Sequence, residues 1–256
     1  MRIICLAIAS IIGALSISDA SAQLANWSIG TNPAYTDFPI NASGQIHGAC
    51  RISQMKFHAT DADKMYTVTG QGGAFETSDG AVNWTVMQGT ENLASSCASI
   101  CVDYTNDQII YLGTGDANYY SNGQGIYKST DGGVTFVPST LTNCLVIEIL
   151  QDPLYSGTFV AATNKGIYKS TNSGLTWTAQ TATTIPFCDM VQEASNNTRT
   201  LFAATHENSA RLFRSTDYGS TWTQITSGIV TAVGNIQAGA RIAVTPADTN
   251  CNTPQN

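Results

Sequence analysis

Apolar residues cluster in short, evenly spaced runs rather than in helical stripes. Met65-Tyr66-Thr67-Val68, Ile110-Tyr111-Leu112-Gly113, Thr158-Phe159-Val160-Ala161 and Leu201-Phe202-Ala203-Ala204 are each rich in β-branched, aromatic or small residues, as the second strand of each repeat requires. Each is followed by a second short apolar run, then by a polar phrase rich in Ser, Thr, Asp and Gly, then by an aromatic. In the third unit this pattern predicts four strands, at 145–150, 158–162, 166–170 and 176–179.

The polar phrase is clearest at Ser215-Thr216-Asp217-Tyr218-Gly219-Ser220-Thr221-Trp222, which reads Ser-x-Asp-x-Gly-x-Thr-Trp, the Asp-box. Further copies start at Ser129 and Ser170, and a worn copy at Thr77 has Ala81 in place of Gly and Asn83 in place of Thr. The starts lie 52, 41 and 45 residues apart, and strand-rich repeats of that length are propeller blades. The prediction is an all-β propeller of four-stranded blades, four of them between about Arg51 and Ile225. The phrase Arg241-Ile242-Ala243-Val244 opens a fifth, so the chain reads as a portion of a larger propeller.

Turn chemistry accounts for the box. Asp79, Asp131, Asn172 and Asp217 can bond backbone amides within the turn, the Gly accepts a positive φ, and the hydroxyls cap what remains. Trp84, Phe136, Trp177 and Trp222 are expected to pack between blades, at about 2–3 kcal/mol each if fully buried. The worn first copy should form the least stable turn.

The N-terminus adds Arg2, an apolar run over 3–17 and Ala20-Ser21-Ala22, the features of a cleaved export signal over residues 1–22. Residues 23–50 form a segment able to supply a closing strand, and 51–256 the blades. The mature product is expected to be secreted, with no membrane span. The full chain has a net charge of -7 with 11 Lys plus Arg, which leaves no source for the counterion release that drives nucleic-acid binding. Six cysteines remain after Cys5 leaves with the signal. In an oxidising compartment these favour disulfides, and Cys50, Cys97, Cys144 and Cys188 lie at nearly equivalent places where cross-blade bridges are conceivable. No zinc-type spacing accompanies them, and neither a metal nor a cofactor is expected.

Asp-boxes at blade spacing resemble the superfamily that holds sialidases, xyloglucan-degrading glycoside hydrolases, sortilin-type receptors and photosystem assembly factors. Gly123-x-Gly125-Ile126-Tyr127-Lys128-Ser129 and Gly166-Ile167-Tyr168-Lys169-Ser170 resemble most the exported bacterial xyloglucanase and sortilin branch. That resemblance implies carbohydrate recognition, or a glycoside hydrolase if the chain is an enzyme. The acid such hydrolases carry in a first-blade Thr-Asp-x-Gly-Gly phrase is Gly70 here, and hydrolysis ordinarily needs two carboxylates. Sialidases need three arginines and a tyrosine. Arg51, Arg199, Arg211, Arg214 and Arg241 occur here without the early Arg-Ile-Pro phrase.

A propeller ligand sits at the channel mouth, opposite the boxes, on loops 70–73, 113–125, 163–165 and 205–211. The second is the longest. Tyr119 and Tyr120 can stack on sugar rings, and Asp116 and Asn118 can bond hydroxyls. Asp116 is the candidate catalytic acid and Glu207 its candidate partner, with Lys165, His206 and Arg211 as further ligand contacts. The expected partner is an extracellular glycan or polysaccharide. The alternatives are a protein or peptide, as for a sortilin-type propeller, and a structural module of a surface protein.

Overall fold

The computed structural model describes residues 51–70, 73–90, 93, 96–117, 123–193, 199–207, 210–226 and 242. Sixteen strands form four antiparallel sheets, each ordered as the strands follow in the chain. The first blade holds β1 (Ile52–Phe57), β2 (Met65–Thr69), β3 (Gly73–Thr77) and β4 (Thr85–Val86). The second holds β5 (Cys97–Val102), β6 (Ile110–Thr114), β7 (Gly125–Ser129) and β8 (Val137–Thr142). The third is β9 (Val146–Gln151), β10 (Phe159–Thr163), β11 (Gly166–Ser170) and β12 (Thr178–Ala179), within two residues of the predicted strands. The fourth is β13 (Phe187–Gln192), β14 (Leu201–Thr205), β15 (Leu212–Ser215) and β16 (Thr223–Ile225).

The four sheets are blades of a β-propeller. Innermost strands β1, β5, β9 and β13 lie side by side in that order. Every residue of β2, β6 and β10 is buried; the second and third blades are covered on both faces by their neighbours, which is why such strands read as continuous apolar runs rather than alternating ones. Three apolar clusters fill the spaces between blades. Tyr66, Val68, Ile100 and Leu112 join the first two blades, Tyr111, Ile126, Ile149 and Phe159 the second and third, and Val160, Ile167, Phe187 and Phe213 the third and fourth.

All four boxes share one bonding pattern, with one bond reversed in the third, where Asn172 Nδ2 donates to Thr176 Oγ1 at 2.8 Å. In the second, Ser129 Oγ donates to Asp131 Oδ1 at 2.7 Å and accepts the Gly133 N–H at 2.9 Å, while Thr135 donates its N–H to Asp131 Oδ1 at 2.9 Å and its hydroxyl to Oδ2 at 2.6 Å. The worn copy keeps the set, with the Asn83 side chain donating to Asp79 Oδ2 at 2.7 Å in place of a threonine hydroxyl. Each turn needs two consecutive positive φ angles, so Ala81 is held at φ 72 where the other boxes place Gly133, Gly174 and Gly219. Phe136, Trp177 and Trp222 each pack on the cluster shared with the preceding blade. With Trp84 they are half-buried, so each contributes less than the full-burial figure.

Among the described residues no cross-blade bridge joins Cys97, Cys144 and Cys188. Cys97, Cys101 and Cys144 are buried free thiols, and the Cys188 thiol donates to the Ala204 carbonyl at 3.5 Å. Register explains why. Cys97 pairs with Thr114, whereas its counterparts opposite Thr163 and Thr205 are Val146 and Phe187. Cys144 therefore falls two residues early, before β9 begins, and Cys188 one late, at the bulge of β13. Cys50 and Cys251, the closing segment 23–50 and the fifth-blade phrase lie outside the described residues, Ile242 excepted. Among the described residues no helix is long and apolar enough to cross a membrane.

Candidate functional site

Strand direction separates the two ends of the blades. The boxes follow β3, β7, β11 and β15, beside the ends of the innermost strands, while the loops joining second and third strands lie beside their beginnings. Each second strand ends in a threonine that ties its loop. Thr114 Oγ1 and Thr163 Oγ1 donate to the Gly125 and Gly166 carbonyls, each at 2.7 Å, Thr69 Oγ1 to the Gly73 carbonyl at 3.2 Å, and Thr205 Oγ1 accepts the Arg211 N–H at 2.8 Å.

At this loop end, opposite the boxes, a cavity of about 270 Å³ is lined by Arg51, Ile52, Ser53, Gln54, Ala98, Ala117, Ile147, Glu148 and Asp189. The lining comes from all four innermost strands and from the start of the long second-blade loop. Each innermost strand carries a β-bulge near its beginning, and the residue after it is Gln54, Ser99, Glu148 or Asp189, paired with Val68, Gly113, Ala162 and Ala204. Four equivalent positions thus present polar side chains opposite small or β-branched partners.

These side chains are cross-linked between blades. Glu148 accepts from Lys56 Nζ at 2.9 Å and from Gln54 Nε2, and Gln54 Oε1 accepts the Ile100 N–H at 2.7 Å. Ser99 Oγ donates to the Val146 carbonyl at 3.0 Å. Asp189 Oδ2 accepts the Ile242 N–H at 2.7 Å, the bond that Ile100 makes to Gln54 at the other side of the cavity. Burial pushes the Glu148 pKa up against the opposing Lys56 charge, and the neighbouring Asp189 adds to the rise. Burial opposes the Lys56 ammonium, but Glu148 outweighs it and holds its pKa above the ordinary lysine value.

The residues predicted from sequence fall in different settings. Asp116 is buried, 5% exposed, and ion-paired with Arg51 at the cavity rim beside Ala117. Gly70 lies against this pair, and a Cβ there would come within 2.7 Å of Arg51 Nη2, so an acid at 70 would have to displace Arg51. Glu207 is gripped by Arg211 in two bonds of 2.8 and 2.9 Å, and this hydrogen bonding lowers its pKa and keeps the carboxylate ionised. Lys165 Nζ donates to the Asn143 carbonyl, and the His206 N–H to the Pro186 carbonyl at 2.8 Å. Asn118, Tyr119 and Tyr120 lie outside the described residues. Among the described residues no cluster of His, Cys, Asp or Glu is placed to hold a metal ion.

Sequence reading missed Gln54, Glu148 and Asp189. The available signal was the recurrence of a polar residue at one place in otherwise apolar first strands, Val146-Ile147-Glu148-Ile149 and Phe187-Cys188-Asp189-Met190.

No protein-family model and no curated protein matches the sequence. Among solved structures the chain is similar to an ancestral GH74 enzyme, at 21% identity and a TM-score of 0.59 over 71% of this chain and 26% of that one. The Niastella koreensis GH74 enzyme matches at 24% identity and TM-score 0.53, over 68% and 30% of the two chains. The GH74 xyloglucanase from Xanthomonas campestris matches at 13% and 0.56, over 70% and 31%. The chain thus spans roughly a third or less of these three structures, and the likeness is one of fold.

Proposed function

We propose that this is an exported β-propeller that recognises extracellular carbohydrate at the loop end of its channel. The observation that carries the reading is the convergence of donors (Arg51, Gln54) and acceptors (Glu148, Asp189, Asp116) around one cavity with aliphatic walls of Ile52, Ala98 and Ile147. A hydroxyl-rich ligand asks for such mixed, fixed polarity. The fold shared with GH74 enzymes, one of them a xyloglucanase, agrees with a polysaccharide as ligand. Export rests on the signal-like residues 1–22, and Tyr119 and Tyr120 enter this reading from the sequence alone, as aromatic rings able to stack on sugars.

Recognition rather than hydrolysis is the activity proposed. The two acids singled out from the sequence are each committed to an arginine, and glycoside hydrolysis asks for one proton-bearing carboxyl and one free carboxylate. The alternative of peptide capture by strand addition needs a long free edge; the outermost strands β4, β12 and β16 hold two, two and three residues, so among the described strands that alternative rests on the six-residue β8.

The test is a polysaccharide and oligosaccharide binding screen on the purified exported protein, followed by assay of reducing-sugar release. At least one glycan is expected to bind. Arg51→Gln combined with Asp116→Asn should weaken it by about tenfold or more, the worth of one charge-assisted bond, as should Tyr119→Ala with Tyr120→Ala. A folded sample that holds no glycan would transfer the function to a protein or peptide ligand, and sugar release would make the protein a hydrolase.

A further inference from the structure

Among the described residues the charges around the cavity do not balance. Arg51 is paired with Asp116 and Lys56 with Glu148, so both cations have their own carboxylate. Asp189 lines the same cavity, and its bond from the described residues is the uncharged Ile242 amide. Its neighbour across the blade junction is Glu148, another anion. A carboxylate facing a confined space beside a second carboxylate is stabilised by any cation that enters.

From this geometry we propose that the ligand carries a protonated amine, which Asp189 accepts, and that the favoured carbohydrate is an amino sugar with a free amino group. The inference rests on the carbohydrate reading above and names its substrate class. A volume of about 270 Å³ sits just under the roughly 300 Å³ at which small-molecule sites begin. It suits a single sugar residue, which would place its amine against Asp189 and its hydroxyls against Gln54 and the Arg51–Asp116 pair. Uronic acids are disfavoured by the same charge, because their carboxylate would meet Asp189 and Glu148.

The test uses the full exported protein and titration calorimetry with three oligosaccharides of equal length: an oligomer of glucosamine, its N-acetylated counterpart, and an oligogalacturonate. The glucosamine oligomer should bind about tenfold tighter than the N-acetylated one, the scale of a charge-assisted hydrogen bond. That preference should shrink in high salt and disappear as pH rises through the amine pKa. Asp189→Asn should abolish the preference, so that the glucosamine oligomer and its N-acetylated counterpart bind alike, with the fold kept because the asparagine oxygen still accepts the Ile242 N–H. The salt and pH dependence of the unaltered protein tests the proposal without the variant.

Equal or tighter binding of the N-acetylated oligomer, or a preference that survives Asp189→Asn, overturns the amine while the carbohydrate reading stands. Binding of the oligogalacturonate above both has the same meaning. Failure of every sugar, with or without capture of a lysine-rich peptide in their place, overturns both.

Discussion

Backbone strain and hydrogen-bonded charge are concentrated in the boxes. Ala81 and Gly174 occupy equivalent places at φ 72 and 74, so opposite exchanges there should have opposite signs. Ala81→Gly removes a left-handed alanine, and urea unfolding is expected to show a gain of about 0.5–1 kcal/mol. Gly174→Ala adds the same strain and places a Cβ within 2.6 Å of the Tyr111 ring; strain and overpacking together should cost about 2–4 kcal/mol. Loss from Ala81→Gly would mean the first box is not held as described. Charge gives a second test. The bonds from Asn83 and from Thr135 hold Asp79 and Asp131 at pKa about 2, against an ordinary 3.8. A carboxylate whose folded pKa is depressed stabilises the native state above the unfolded value and ceases to do so as pH falls through the folded one, so melting temperature should drop between about pH 4 and pH 2. Asp131→Asn should flatten that drop, because Asn172 already makes the equivalent bonds to Thr176 N–H and Oγ1 at 3.0 and 2.8 Å. An unchanged pH slope in this variant would remove Asp131 as a contributor.

Between elements, one blade latches the next through a lysine. Lys128 on β7 donates to the Ser173 carbonyl of the following box at 2.8 Å, joined there by the Tyr111 hydroxyl, also at 2.8 Å. Lys169 on β11 reaches the Tyr218 carbonyl at 2.8 Å and Ser220 Oγ at 2.7 Å. Lys169→Met keeps the stem and removes these bonds, and should cost about 1.5–3 kcal/mol in denaturant unfolding, the range for bonds to a charged donor. A neutral outcome would show that water replaces the ammonium at no cost. The Gly-Ile-Tyr-Lys-Ser phrase was legible as a strand running into a box, but the role of its lysine was not, because the carbonyls it meets belong to the next repeat, 45 or more residues away in the chain. The strands themselves were legible because burial on both faces and turn residues dictate them locally. The cavity was not, because the bulge before Gln54, Ser99, Glu148 and Asp189 breaks the two-residue alternation from which a strand's facing is read.

For the whole molecule, cohesion among the described residues comes from the apolar clusters and the latches between blades, and the thiols inside those clusters report on how the blades separate. Cys97 lies in the cluster shared by the first two blades, Cys101 and Cys144 in that shared by the second and third. Burial pushes their pKa values to about 12, 12 and 11, which leaves a thiolate fraction of about one in a thousand or less at pH 8 and removes most of their reactivity. In the native protein all three should resist maleimide and react once denatured. Blades packed only on their neighbours can open at a single junction while the others hold, and the first blade carries the strained box at Ala81. Labelling under mild denaturant, followed by peptide mapping, is therefore expected to modify Cys97 before Cys101 and Cys144. Ala81→Gly should narrow the interval. Simultaneous labelling of all three would show that the four blades open as one cooperative unit, and early labelling of Cys144 would move the weakest junction to the third blade.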